Sequence, residues 1–363
     1  MTSTTVAEQP SVALAAEPEP EVASSPALLW RRLGVLIRWA LPVVALALVA
    51  RSMAVGWDEI TRSMAVFRGS GAMLLLLALV VEGIWVFTLS QVYRVSLQAF
   101  GGKATIGQSM VVSMGAFTLS RVVPGGGAVG ALVAGREFVR IGNPGPVTMV
   151  ALVTAGWVSL TSLTVLVSVG LAAGIVWGSL PVGLLAVPLL ILTALIAAGL
   201  GMRSVLRSQS VRERMLRAMS RLTSRWSPDM TPGELASAFE SRVDHQRASL
   251  ARAVGWSAAG WLLDGLALWL AFAAFGQILG VGELALGYGV ANLIQALPEV
   301  TPGWLGIVEA SLAATYAGLG VPAGVSAMVI LGYRVVSFWV PVLAGSPFAV
   351  RVLRSHRDLV GRE

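Results

Sequence analysis

Cysteine does not occur in the 363-residue chain, which excludes disulfides and thiolate metal sites and leaves the redox compartment open. Histidine is nearly as scarce: His245 and His356 both lie in basic, polar stretches. With so little histidine, and with no HExxH motif, most metal-hydrolase and Ser/His chemistries are removed from the apolar parts of the chain. Charge is the third shortage. Charged residues make up 12% of the sequence, against roughly a quarter in soluble domains. What is abundant is apolar surface: 56% of residues are hydrophobic and the mean hydropathy is +0.77. The apolar residues fall in runs of about 20, the length needed to cross a bilayer. The composition therefore reads as an all-α polytopic membrane protein that is no enzyme and calls for no cofactor, metal or nucleic acid.

The net charge of +7 is unevenly spread. The first 29 residues hold four glutamates (Glu8, Glu17, Glu19, Glu21) and no base, leaving +11 on the rest. This segment, rich in Ala, Pro, Ser and Thr without a basic start before an apolar core, reads as a disordered acidic tail and not a signal peptide. Spans are expected near 33–51, 71–92, within the uncharged stretch 148–202 (two, divided at 178–181), at 254–274 and at 325–346. Segment 203–252 carries ten arginines against five acids. It and the basic tail 351–363 are expected on the cytoplasmic side, because basic residues resist translocation. Both termini then lie in the cytoplasm. The loop at 51–70, with three arginines and two acids, fits that bias less well. The chain divides into the tail 1–29, a first membrane portion 30–202, the basic loop 203–253, a second membrane portion 254–350 and the tail 351–363.

An offset of 178 residues pairs Pro124-Gly125 with Pro302-Gly303, Leu119 with Leu297, Gly142 with Gly320, Pro144 with Pro322, Val147 with Val325 and Ser159 with Ser337. Each pairing falls in the same order of elements: span, span, helix broken at Pro-Gly, span. If each broken helix is a re-entrant hairpin, the two units come out oppositely oriented, an inverted repeat of about six full spans and two hairpins. In such architectures the broken helices mark the transport site.

Thr301 followed by Pro302 has the pattern of an N-cap and a first helical proline. A half-helix starting there aims free N–H groups inward, a ready anion site. Gly303 and Gly306 permit close approach, and the first hairpin repeats the logic with Pro124, Gly125, Gly126 and Gly127 just after Arg121. The plainer alternative is that these residues only allow tight helix packing. Intramembrane charges cost about 2.5–3.5 kcal/mol each at a helix centre and are functional suspects. Glu309 and Arg334 can contact substrate, or lock the second hairpin to the last span as an ion pair. Tyr333 accompanies Arg334, while Glu82, Asp264 and Arg136 are secondary candidates. Glu299 reads as a solvated loop acid. The arginine-rich 203–252 segment reads as a solvated loop, with anionic lipid or a partner as the alternative.

The stretch LPEVTPGWLGIVEASLAATYAGLGVPAGVSAMVILGYRVVSFWVP (297–341) resembles the signature of the flippase-like integral membrane family, which includes the transmembrane flippase part of lysyl-phosphatidylglycerol synthases. The matching positions are Leu297, Pro298, Pro302, Gly303, Gly306, Glu309, Gly320, Pro322, Tyr333, Arg334, Trp339 and Pro341. SRVVPGGGAVGALVAGREF (120–138) looks like the family's first hairpin, and the resemblance covers roughly 30–350. Trp304 stands where a second glycine is usual, and no acid follows the first break until Glu137. Nothing resembling a large soluble acyltransferase-like domain follows residue 350. The resemblance thus implies the translocating half alone, in a bacterial plasma (inner) membrane.

Three functions are weighed. The leading one is a translocator of a polar-headed, phosphate-bearing lipid, either an anionic phospholipid or a polyprenyl-phosphate-linked headgroup, working by alternating access. The second is a non-transporting anchor or regulator of a lipid or cell-envelope enzyme. The third, an intramembrane enzyme, lacks the paired Asp, Ser/His or HExxH chemistry it needs. A homodimer or an envelope-enzyme partner is left open.

Overall fold

The computed structural model describes residues 67–123, 126–207, 243–295 and 301–360, with isolated positions between 47 and 62. The acidic tail, most of the expected first span, Pro124, Gly125, Pro298, Glu299 and most of the basic loop lie outside the described residues. Among the described residues every element is helical. A π-turn (Phe67–Gly71) leads into α1 (Ala72–Ala99), followed by α2 (Ile106–Val122), α3 (Gly126–Arg140) and α4 (Gly145–Val176). A 3-10 turn (Val182–Leu185) precedes α5 (Ala186–Arg207). The second half runs α6 (Val243–Ala274), α7 (Val281–Gln295), a 3-10 turn (Pro302–Trp304), α8 (Ile307–Gly318), α9 (Ala323–Arg334), a π-turn (Val335–Trp339) and α10 (Val340–Val360).

Four helical stretches among the described residues are long and apolar enough to cross a membrane: Gly69–Ala99, Gly145–Val176, Arg247–Ala274 and Ala323–Arg354. Val182–Ala198 is a shorter apolar helix. Of the expected six spans, four coincide with helices long enough to cross; the fourth expected position holds this shorter helix, and most of the first lies outside the described residues.

Local signals explain the element ends. Thr105 caps α2 in a reciprocal box with Gln108: Gln108 N–H donates to Thr105 Oγ1 at 3.2 Å and Thr105 N–H to Gln108 Oε1 at 2.8 Å. Buried Asn143 ties two loops together. Its amide nitrogen donates to the Lys103 and Phe138 carbonyls, both at 3.0 Å, and its oxygen accepts from Lys103 N–H at 2.7 Å. The turns before α4 and α9 are alike. Gly142 and Gly320 have φ of 99° and 97°, the left-handed region that glycine enters without penalty. Two residues on, Pro144 and Pro322 take extended N-cap conformations.

The molecule carries its polarity inside. Glu82, Gln91, Ser96, Ser109, Ser113, Thr118, Glu309 and Arg334 are buried, whereas Leu76, Val80 and Ile84 form an exposed stripe on α1. This distribution suits hydrocarbon as the surrounding solvent, where a stripe of aliphatic side chains costs nothing to leave outside.

The longest packing surface joins α1 and α6. Gly260 makes room there for Thr88; a Cβ on it would strike the Thr88 hydroxyl. Two further pairs use the same small-residue device. On α2, Gly115 faces Val352 and Phe348 of α10, whose own Gly345 receives Thr118. On α4, Gly174 meets Gly282 of α7 backbone to backbone, beside Gly170 and Ala285. Each short helix that follows a long one thus packs on the terminal long helix of the other half: α2 on α10, α7 on α4.

Candidate functional site

A cavity of about 890 Å³ lies among α1, α2, α3, α4, α6, α7, α8 and α9. Its charged lining is Glu82, Arg121, Asp264 and Arg334, joined by Tyr288, Asn292, Gln295, Tyr333 and Ser337. Glu82, Asp264 and Arg334 sit about 15–20 Å from the nearer ends of their long helices at 1.5 Å rise per residue. These positions are well inside helices long enough to cross a hydrocarbon core of about 30 Å. Trp85, Phe117, Trp261 and Trp304 supply aromatic walls.

The acidic side is built on α1 and α6. Both Asp264 oxygens accept tyrosine hydroxyls, Tyr288 at 2.6 Å and Tyr333 at 2.5 Å. Glu82 lines the same cavity as Asp264, and its Oε1 is buried with no hydrogen-bond partner. On the basic side, Arg121 Nη1 donates to Gln295 Oε1 at 2.7 Å, linking α2 to the end of α7. Arg121 and Arg334 share the Phe338 ring, their guanidinium carbons 5.8 and 4.4 Å from its centroid, a cation–π arrangement that steadies both charges.

The expected start of the second half-helix needs correction. Thr301-Pro302 opens only one 3-10 turn, and the α-helix restarts at Ile307 with Gly306 as N-cap. The physical reason is a reversal between them: Gly303, Trp304 and Gly306 have φ of 57°, 56° and 84°. Left-handed backbone at a tryptophan costs about 1–2 kcal/mol, which accounts for a glycine being usual at that place in the resemblance. The N-terminus of α8 is also filled. Glu309 Oε2 accepts from Gly306 N–H at 2.6 Å, so the chain's own carboxylate occupies the anion position. Its other oxygen accepts from Arg334 Nε at 2.6 Å, and Arg334 Nη2 donates to the Gly303 carbonyl at 3.2 Å. Of the two readings left open by the sequence, the geometry therefore contains the ion pair that locks hairpin to span.

The other candidates divide clearly. Arg121, Gly127, Tyr333, Arg334, Glu82 and Asp264 line the cavity. Gly126 is buried where a Cβ would collide with the Ser120 carbonyl, so it closes the first hairpin, whereas Gly127 faces open space. Gly303 packs under Phe338 and against the Arg121 carbonyl, bringing the two breaks together. Thr301 is buried, with its hydroxyl 3.5 Å from the Leu305 carbonyl. Arg136 is exposed near the far end of α3 and is not part of the cavity wall; neighbouring Glu137 pairs with Arg140 at 2.8 Å. Sequence reasoning passed over Tyr288, Asn292 and Gln295. They recur at i, i+4 and i+7 on α7, a polar stripe along the part of that helix beyond Glu283 that was there to be read. Nothing in the sequence set Phe338 apart from other span aromatics.

Fold and cavity define a multi-pass α-helical membrane protein with a buried, charged chamber between its long helices. Residues 33–345 match the family described as the lysylphosphatidylglycerol synthase TM region, and the chain belongs to that family. It is accordingly a lipid-handling membrane protein of the lysylphosphatidylglycerol synthase type. The match is to the transmembrane region of such synthases and not to their catalytic domain. Two relatives from Methanothermobacter thermautotrophicus, each described as a UPF0104 membrane protein, are similar over shorter stretches. One is 33% identical over 89 residues, covering 24% of this chain and 26% of the relative; the other is 34% identical over 79 residues, covering 22% and 23%. The chain thus spans about a quarter of the length of the curated relatives it matches.

Proposed function

We propose that the protein is a lipid translocator that carries a phosphate-bearing headgroup between leaflets through this chamber. The observation that carries the reading is the meeting of Arg121, Arg334 and Gly127, near the start of α3, in one cavity of about 890 Å³. That volume suits a headgroup, since small-molecule sites run from about 300 to 1,000 Å³. Arg121 holds the phosphate, steadied by Gln295 and Phe338. Arg334 contributes field, while its ion pair with Glu309 braces the second hairpin.

A smaller cavity of about 320 Å³ shares Arg121, Phe117, Trp85 and Gly127 with the first and continues between α1, α3, α4 and α6. Its walls of Leu89, Val92, Ala116, Ala131 and Trp256 suit the upper part of an acyl or prenyl chain. Alternating access follows from an inverted repeat. Supporting that architecture are the twice-used order of long, short, short and long helices, the matching turns at Gly142 and Gly320, and the crossed packing of α2 on α10 and α7 on α4.

The test is lipid exchange in proteoliposomes, with labelled phosphatidylglycerol and a polyprenyl-phosphate-linked sugar as separate cargoes. At least one is expected to cross faster than in protein-free vesicles, and Arg121→Ala to slow it at least about tenfold, the loss of roughly 1.4 kcal/mol. Neither cargo moving above the protein-free rate would sink the proposal.

A further inference from the structure

The chamber contains one group that phosphate recognition leaves unused. Glu82 is 2% exposed, faces the cavity, and presents Oε1 without any donor. Opposite it stands Asp264, whose two oxygens are each already engaged by a tyrosine hydroxyl. Two acceptors facing each other in a buried place leave a hydrogen bond unmade, and that costs about 1–3 kcal/mol, more when charge is involved. A single proton on Glu82, donated to Asp264, removes the conflict and gives the pair one negative charge.

We propose that Glu82 and Asp264 share one exchangeable proton that is taken up together with the lipid anion, so that the protein is a proton–lipid symporter. The inference rests on the translocator reading above. Other charged or titratable groups around the pair are Arg121 from α2, Tyr288 from α7, and Tyr333 and Arg334 from α9. The lining residues of α4 include none, and Glu309 of α8 is held by Arg334 and Gly306. Among the described residues no group of three or more His, Asp or Glu side chains is placed to hold a metal cation, so a proton fits the pair better than a metal ion.

Coupling follows from competition for one arginine. Arg121 is the cation whose charge acts on Glu82. When Glu82 gives its proton to water entering the opened chamber, the product is a carboxylate and a hydronium ion. The new carboxylate then draws on the Arg121 field that a lipid phosphate would use. Protonation of Glu82 withdraws the competitor, and the phosphate binds. Anion and proton therefore enter as one loaded state and leave as one unloaded state. The sign follows: the protonated form binds lipid, so affinity falls as pH rises, by up to about tenfold per pH unit for one linked proton.

Three measurements test this. The purified full-length protein should show a carboxylic-acid carbonyl band in its infrared spectrum at neutral pH, lost in Glu82→Gln and kept in the exposed-site control Asp58→Asn. Quenching of cavity tryptophans by short-chain phosphatidylglycerol should weaken with rising pH in the wild type and be pH-independent in Glu82→Gln. Asp264→Asn, tested alongside, should also lose the pH dependence. In proteoliposomes, a pH gradient should drive net accumulation of the lipid in one leaflet by the wild type. Glu82→Gln should equilibrate the lipid without accumulating it.

No infrared band at neutral pH overturns the shared proton. Lipid movement that ignores the pH gradient, or follows a sodium gradient instead, overturns symport and leaves the translocator standing. No lipid movement under any gradient overturns both.

Discussion

Replacing Arg334 by leucine removes the cation that faces Glu309 at 2.6 Å while leaving the carboxylate with only the Gly306 N–H to satisfy it. The two side chains are 6% and 4% exposed, so water does not compensate the loss. Breaking a buried pair by removing one partner costs about 3–5 kcal/mol, most of it the stranded charge. The Gly303 carbonyl also loses the bond from Arg334 Nη2. Glu309→Gln strands the opposite charge but keeps an oxygen to cap Gly306. The double variant Glu309→Gln with Arg334→Leu removes both charges and retains the cap, so it should melt above either single variant. A double-mutant cycle should then return a coupling energy of roughly 1–3 kcal/mol. The assay is thermal unfolding in detergent by tryptophan fluorescence, with lipid exchange measured on the same preparations. Single variants should melt several degrees low and exchange lipid poorly, and the double should regain at least half of the lost melting temperature, with exchange limited by the missing Arg334 charge. Single variants that melt like the wild type yet carry no lipid would refute the reasoning, since the pair would then be a substrate contact and not a brace.

Arg121→Gln should weaken lipid binding by about 10- to 100-fold, the loss of one charged hydrogen bond of about 1.5–3 kcal/mol, with a melting temperature near the wild type's; tryptophan quenching reads the first and thermal unfolding the second. Gly127→Ala should fold and transport, because a methyl there meets open space, whereas Gly127→Leu should fold and block both cavities, read as lost quenching by lipid. Asn143→Ala should cost about 1–3 kcal/mol through stranded loop groups and leave lipid affinity of the surviving folded protein unchanged, read by melting and titration together.

How much of this was legible in the sequence depended on range. Membrane spanning, the positions of long helices and the twin turns at Gly142–Pro144 and Gly320–Pro322 came from local signals of hydropathy, glycine and proline. Arg121, Arg334, Glu82 and Asp264 could be picked out because charge in a span is conspicuous. What they touch could not, because those partners lie tens to more than a hundred residues away: Gln295 for Arg121, Tyr333 for Asp264. Thr301-Pro302 misled for a physical reason. Its local pattern is that of a helix start, but the backbone at Gly303, Trp304 and Gly306 turns left-handed and delays the helix to Ile307. Capping by Glu309 was hidden by the same error, since the cap is defined only once the true first residue is known.

The crossed packing has a consequence for how such a molecule can move. With α2 seated on α10 and α7 on α4 through glycine contacts, each half holds a piece of the other. Rocking one half as a rigid body against its twin would tear both seams at once. Any motion that spares them has to carry α2 with α10 and α7 with α4. Neither half would be a viable fragment by itself, and the nascent chain would leave its first short arm waiting in the membrane until α10 is made.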